Sequence, residues 1–222
     1  METEYKYRLS GPMDVRIIMA DPLISHNISE NSLRDIDMHA VYFDTEDFDL
    51  RKAGIAYRLR IENDRITATV KWDAHVNAET GLHEREEVNL VINDERLFYR
   101  PNIEIFESSK VYPLLKSKTG GKPLVKNVEM QFNRQLVKIN TGSSLSAISF
   151  DIGWIDGERG RVPVNEMEIE WYHGDREDFK KFATNLAKTH DLIPEDASKL
   201  QRGFAKNIWS RIQGYKYDLK IK

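Results

Sequence analysis

From the first residues, charge falls on every second position: Glu2, Glu4, Lys6 and Arg8 alternate with Thr3, Tyr5, Tyr7 and Leu9. A period of two is the period of a β-strand, so one face of this strand is wholly ionic. A solvated outer face is the ordinary reading of such a pattern. Here, however, it recurs. Arg58 and Arg60 share one face while Ile55, Tyr57, Leu59 and Ile61 supply the other; Lys71 keeps register with Thr69 and Thr67. Arg85 and Glu87 are two apart, and Glu166, Glu168 and Glu170 alternate with Met167, Ile169 and Trp171. A solvated face needs no such segregation of sign and spacing. Strands with one ionic and one apolar face, and helices to cover the apolar sides, predict an α+β fold built on a closed barrel with a charged lumen.

Carboxylates converging from two strands repel one another unless a cation relieves them, and an all-oxygen donor set suits Mg²⁺ or Mn²⁺. Arginines and lysines at the same depth suit phosphoryl oxygens, Arg by paired hydrogen bonds and Lys as a point charge. The composition narrows the chemistry further. With no cysteine among 222 residues, thiolate metal sites, disulfides and cysteine nucleophiles are excluded. A net charge of -3 leaves no electrostatic footprint for duplex nucleic acid. No apolar run approaches the roughly 18 residues of a membrane span, and residues 1–9 lack a signal-peptide core, so a soluble, cytoplasmic protein is expected. The length is that of one domain.

Further strands are predicted at Ala40–Phe43, His83–Val91, Val128–Ile139, Leu145–Trp154 and Val164–Tyr172, with a hairpin turned at Glu62-Asn63-Asp64 between strands 55–61 and 65–72. Residues 21–35 read as a weak helix or irregular connection, and 93–125 as a helical excursion whose Phe98, Tyr99, Phe106 and Tyr112 are expected to pack rather than to form a lid. Asp175 can N-cap a helix with apolar positions Phe179, Phe182, Ala183, Leu186 and Ala187. Pro194 separates it from a last helix over 198–212. The six histidines show no ligand spacing, and His83 reads as a structural hydrogen-bonder.

The motifs Glu2-Thr3-Glu4-Tyr5-Lys6, Tyr42-Phe43-Asp44-Thr45 with Leu50-Arg51, and Gly54 to Arg60 stand in that order. They are followed by Thr69-Val70-Lys71, Gly81-Leu82-His83 leading to Arg85 and Glu87, Asn165 to Gly174, and Ser198-Lys199 with Arg202-Gly203-Phe204. This series resembles the CYTH superfamily of triphosphate tunnel metalloenzymes over residues 1–207, leaving 208–222 as a helix end and basic tail. The resemblance implies an eight-stranded antiparallel tunnel, open or plugged at one end, binding a triphosphate-containing small molecule with one or two divalent metals. It implies metal ligands at Glu2, Glu4, Glu168 and Glu170, with Glu87 and Asp151 as further acidic groups and Glu166 nearer the strand end. It also implies a phosphate clamp of Lys6, Arg58, Arg60, Lys71 and Arg85, joined by Arg134. Lys199 and Arg202 fit helix packing as well as phosphate contact. Glu2, Glu4, Lys6, Arg58, Arg60 and Lys71 are the expected catalytic set. Inorganic triphosphate hydrolysis is the leading activity; ATP cyclisation and non-catalytic polyphosphate binding are the rivals, and a homodimer is compatible with the sequence.

Overall fold

The structure, a computed structural model, describes residues 1–157 and 160–204. Strand β1 (Glu2–Arg8) leads into helices α1 (Pro12–Met19) and α2 (Pro22–Ser25), then β2 (Arg34–Asp44) and α3 (Asp49–Lys52). Strands β3 (Ala56–Glu62), β4 (Arg65–Asn77) and β5 (Leu82–Ile92) precede the excursion, which holds α4 (Arg96–Tyr99), a 3-10 turn (Glu104–Phe106) and α5 (Tyr112–Thr119). The chain ends with β6 (Val125–Asn140), β7 (Ser144–Gly157), β8 (Gly160–Gly174), α6 (Arg176–Thr189), the two-residue β9 (Ile193–Pro194) and α7 (Lys199–Phe204). The strand order is β5-β4-β3-β2-β6-β7-β8-β1, and β1 pairs back with β5, so eight antiparallel strands close into a barrel with β9 appended to β1. Closure leaves no long unpaired edge among these eight strands.

Register sorts every strand residue onto one wall or the other, because directly paired residues share a face. Glu4 pairs with Glu170 and Lys6 with Glu168; Glu2 pairs with Arg85, and Lys71 with Glu87. All therefore face the lumen. The intervening residues face outward, where two apolar layers cover them. Tyr5, Tyr7, Ile148, Phe150, Met167 and Ile169 pack under Phe179, Phe182, Ala183 and Leu186 of α6, whose first turn is capped by the Asp175 carboxylate accepting from Glu177 and Asp178 N–H. On the other side Val41, Tyr57, Leu59, Ala68 and Val70 pack under Phe98, Ile103, Phe106, Val111 and Leu115 of the excursion. Each fully buried side chain of this size contributes roughly 1.5–3 kcal/mol. Phe98 and Phe106 are buried and Tyr112 packs beside them, whereas Tyr99 is 82% exposed.

The inner wall is not ionic throughout. At the end formed by the start of β6 and the end of β7, Met38, Ala40, Val128, Met130, Ile155, Val162 and Val164 make a third apolar cluster inside the barrel, against Leu200 and Phe204 of α7. The lumen is thus plugged at this base and open at the opposite end. Ser198 begins α7 with a reciprocal cap: its hydroxyl accepts from Gln201 N–H (3.2 Å), and the Gln201 side chain accepts from Ser198 N–H (2.7 Å). Outside the base, the Asp44 carboxylate accepts N–H bonds from Thr45, Leu50 and Arg51, fixing the turn that presents Arg51 over the Phe204 ring at 4.1 Å.

Two strand boundaries need correction, the start of β2 and the end of β4. Residues 21–35 hold the short helix α2 at 22–25 and then an irregular connection, as expected, but β2 already begins at Arg34, six residues before the predicted strand, held by pairing with β6 rather than by its own polar sequence. The last helix is described only to Phe204; its remainder and the tail 208–222 lie outside the described residues. Strand β4 also runs on to Asn77, beyond the predicted Trp72.

The plug sits where glycine allows it. A Cβ on Gly203 would lie 2.6 Å from Val128 Cγ1, and one on Gly157 would lie 2.0 Å from the Gly203 carbonyl oxygen. Gly203→Ala is therefore expected to destabilise the protein by about 1–3 kcal/mol through overpacking. Urea denaturation measures this, and a variant as stable as the parent would contradict the close packing of α7.

Candidate polyanion and metal site in the barrel lumen

The lumen encloses a cavity of about 240 Å³. Its wall carries Glu2, Glu4, Glu62, Glu87, Glu168 and Glu170, with Asp151 and Glu166 reached from the base. The facing cations are Lys6, Arg58, Arg60, Lys71, Arg85, Arg134 and Lys199, with Arg202 behind them. Among the described residues that is eight carboxylates against eight cations, a formally neutral interior. Every lumenal residue expected from sequence is present; Arg202 reaches the cluster through Glu166 rather than lining the cavity.

The charges pair in a chain that follows strand register. Lys71 Nζ donates to both oxygens of Glu2 (2.7 and 2.8 Å) and lies 2.5 Å from Glu87. Arg85 bridges Glu2 (2.5 Å) and Glu4, and Lys6 sits between Glu4 (3.2 Å) and Glu168 (3.1 Å). Arg134 forks onto Asp151 (2.7 and 2.6 Å) and reaches Glu168 at 2.7 Å. From the base, Lys199 enters among Asp151 (2.7 Å), Glu168 (3.0 Å) and Glu166, and Arg202 binds Glu166. Glu166, placed nearer the strand end by sequence, is buried in this cluster. Its oxygen lies within 4.8 Å of those of Asp151 and Glu168.

These partners set the ionisation. Burial would raise the carboxyl of Glu2, but Lys71 and Arg85 outweigh it and hold it well below the ordinary glutamate range. Burial is likewise overcome at Glu168 by Lys6 and Arg134. Glu170 differs. It has no cation partner among the described residues, and burial together with Glu2 and Glu4 pushes its pKa up to about 7. On the opposite sign, burial and the neighbouring Arg58 draw Arg60 down to about 10, Glu62 being its ion-pair partner at 2.9 Å. Arg58 has no carboxylate partner among the described residues; Tyr42 is its polar neighbour.

The donor set fits a hard divalent cation. Glu2, Glu4 and Glu170 carry carboxylates on adjacent strands, and the crowding that raises the Glu170 pKa is the observation that favours a cation there. Asp151, Glu166 and Glu168 form a second oxygen group, with Lys199 already among them. His83 takes no part: its Nε2–H donates to the Glu195 carbonyl at 2.8 Å, tying β5 to the segment before α7. Sequence periodicity missed Tyr42, Met38 and Phe132 in the wall, because an apolar inward face on β2 and β6 reads as ordinary core rather than as the lining of a lumen.

The family model for the CYTH domain matches residues 1–204. The chain is 26% identical over 210 residues to the inorganic triphosphatase of Haemophilus influenzae, covering 92% of this chain and 55% of the relative; it thus spans about half the length of that protein. Among solved structures it is similar to a Hippeastrum protein described as a candidate adenylyl cyclase with a dominant triphosphatase activity, at TM-score 0.66 and 20% identity, covering 90% of this chain and 93% of that one. It is also similar to a candidate adenylate cyclase from Bacillus halodurans, at TM-score 0.55 and 20% identity, covering 92% and 98%. At these identities the two structures speak to the fold.

The raised pKa of Glu170 has a signed consequence for stability without metal. Its folded value lies above the unfolded 4.5, so its contribution is fully present below about pH 4.5 and is lost as pH rises through 7. Glu170→Gln is expected to be more stable than the parent at pH 8, by about 1–3 kcal/mol, and the gap should close below pH 5. Mn²⁺ should stabilise the parent more than the variant at pH 8. Urea titrations at both pH values check this, and an equal or lower stability of the variant at pH 8 would contradict it.

Proposed function

This chain belongs to the CYTH domain family, and on that premise we propose that it is a divalent-metal-dependent hydrolase of triphosphate phosphoanhydride bonds, with inorganic triphosphate as the foremost substrate. The carrying observation is the plugged, formally neutral lumen in which, among the described residues, one arginine and one glutamate, Arg58 and Glu170, stand without opposite partners. Such an interior receives an anion and a cation together. Neither alone leaves it balanced. A triphosphate of four to five negative charges matches about two divalent cations, which supports one or two bound metals.

In this reading Glu2, Glu4 and Glu170 hold Mg²⁺ or Mn²⁺, and Glu168, Asp151 and Glu87 join them as their lysine and arginine partners turn to the phosphates. The bound cation supplies Lewis-acid neutralisation of phosphoryl charge. Arg58 and Arg60 face the polyanion from β3. Lys6, Lys71, Arg85 and Arg134 flank it, and Lys199 reaches it from the plugged base, with Arg202 steadying Glu166. Fixed cations in a water-poor channel stabilise charge that builds up during transfer without reorganising at that moment. Phosphoryl transfer asks chiefly for this and for positioning. A carboxylate left outside the metal's ligand set would orient the attacking water and accept its proton.

The cavity, at about 240 Å³, falls below the roughly 300–1,000 Å³ of sites that enclose larger organic ligands, which favours inorganic triphosphate over a whole nucleotide within the lumen. The test is phosphate release from inorganic triphosphate, thiamine triphosphate and ATP with Mg²⁺ or Mn²⁺, beside an assay for cyclic AMP. Metal-dependent release, fastest from inorganic triphosphate, is expected. Cyclic AMP formation without phosphate release would instead support a cyclase, and tight binding without turnover a binding module. Arg58→Ala and Glu4→Ala are each expected to lower kcat/KM by about 10²-fold or more in a folded protein, measured by the same assay; retained activity would remove that residue from the site.

A further inference from the structure

Arg58 differs from the other seven lumenal cations. Lys6, Arg60, Lys71, Arg85, Arg134, Lys199 and Arg202 each lie against at least one carboxylate. Arg58 instead meets a phenol. Tyr42 pairs with Arg58 across β2 and β3, so both side chains enter the lumen side by side. Arg58 Nη1 donates to the Tyr42 hydroxyl over a long 3.5 Å, and the guanidinium carbon stands 5.8 Å from the ring centroid. The hydroxyl is held in a buried residue, 8% exposed, at the edge of the apolar plug.

A carboxylate in this position would orient Arg58 but cancel its charge. A neutral phenol orients it and leaves the charge whole. The hydroxyl also has a proton of its own to donate, and among the described residues that proton has no acceptor. Burial alone would raise the Tyr42 pKa, yet Arg58, Lys71, Arg85 and Lys6 bring it below the ordinary tyrosine value, which strengthens the O–H as a donor.

We infer that Tyr42 is a substrate-binding residue whose hydroxyl accepts from Arg58 and donates to a phosphoryl oxygen, so that phenol and guanidinium form one two-part anion receptor. This rests on the triphosphate reading of the lumen. An ionised phosphoryl oxygen accepts hydrogen bonds and donates none, so the pair selects that ligand chemistry over a protonated or hydroxylated one.

The test is calorimetric binding of a non-hydrolysable imido analogue of triphosphate, with Mn²⁺, to the parent, Tyr42→Phe, Arg58→Ala and the double variant. Urea denaturation of each protein runs alongside. Tyr42→Phe keeps the ring in the plug and is expected to fold as the parent does while binding the analogue about ten-fold more weakly. Because the two groups act as one receptor, the double variant should lose less affinity than the product of the two single losses. Parent-like affinity in Tyr42→Phe, or single losses that multiply in full, would overturn the inference while leaving the triphosphate reading standing. A parent that binds no analogue, and hydrolyses no triphosphate in the assay above, would remove the reading and the inference together.

Discussion

Charge buried in a barrel has to be answered within a few ångströms, and most of this structure follows from that requirement. A carboxylate or ammonium taken out of water costs several kcal/mol unless a partner meets it, and breaking such a pair by removing one member costs about 3–5 kcal/mol. The lumen meets the requirement by alternating sign along and across strands: Lys6 between Glu4 and Glu168, Lys71 between Glu2 and Glu87, Arg134 between Asp151 and Glu168. Period-two alternation then forces the apolar residues outward. There α6 and the excursion over residues 93–124 cover them. The helices are therefore on the outside because the charges are on the inside.

Pairing is incomplete at two places, and there the fold gives up stability. Among the described residues Glu170 is buried near Glu2 and Glu4 with no cation partner, and Arg58 faces a phenol. Natural proteins retain such frustrated groups where a ligand resolves the conflict, a recurrent exchange of stability for activity. A cation beside Glu170 and a phosphoryl group beside Arg58 would relieve both at once. The apolar plug contributes by closing the base: Gly157 and Gly203 let α7 approach β6 and β7 closely, and Arg51 stacks on Phe204 from outside.

The sequence was readable where a strand has one ionic face. β1, β3, β5 and β8 carry that signature, and their lumenal residues, from Glu2 to Glu170, follow directly from the period of two. It was mute where the inward face is apolar. Met38, Ala40, Met130, Phe132 and Ile155 point inward from β2, β6 and β7 beside polar neighbours such as Asp37, Glu129, Gln131 and Asn133, the ordinary pattern of a half-buried strand, so neither the plug nor Tyr42 could be told from ordinary core. The start of β2 was missed for a related reason: Arg34, Asp35 and Asp37 are polar and exposed, and only pairing with β6 makes them strand. α1, with Pro12 at its start and Val15 and Ile18 buried, was too short a pattern to read. The Asp44-Thr45 motif holds a turn, its carboxylate spent on three backbone N–H groups.

In the proposed reading the interior is balanced without ligand and therefore takes cation and polyanion only as a pair. Calorimetric titration of the imido analogue of triphosphate, with and without saturating Mn²⁺, measures that coupling directly. Affinity at least ten-fold higher with the cation, and reciprocally tighter Mn²⁺ binding with the analogue, is the expected result, since coupling between two sites is mutual. Equal affinity in the presence and absence of the cation would show that the buried carboxylates do not serve to receive it.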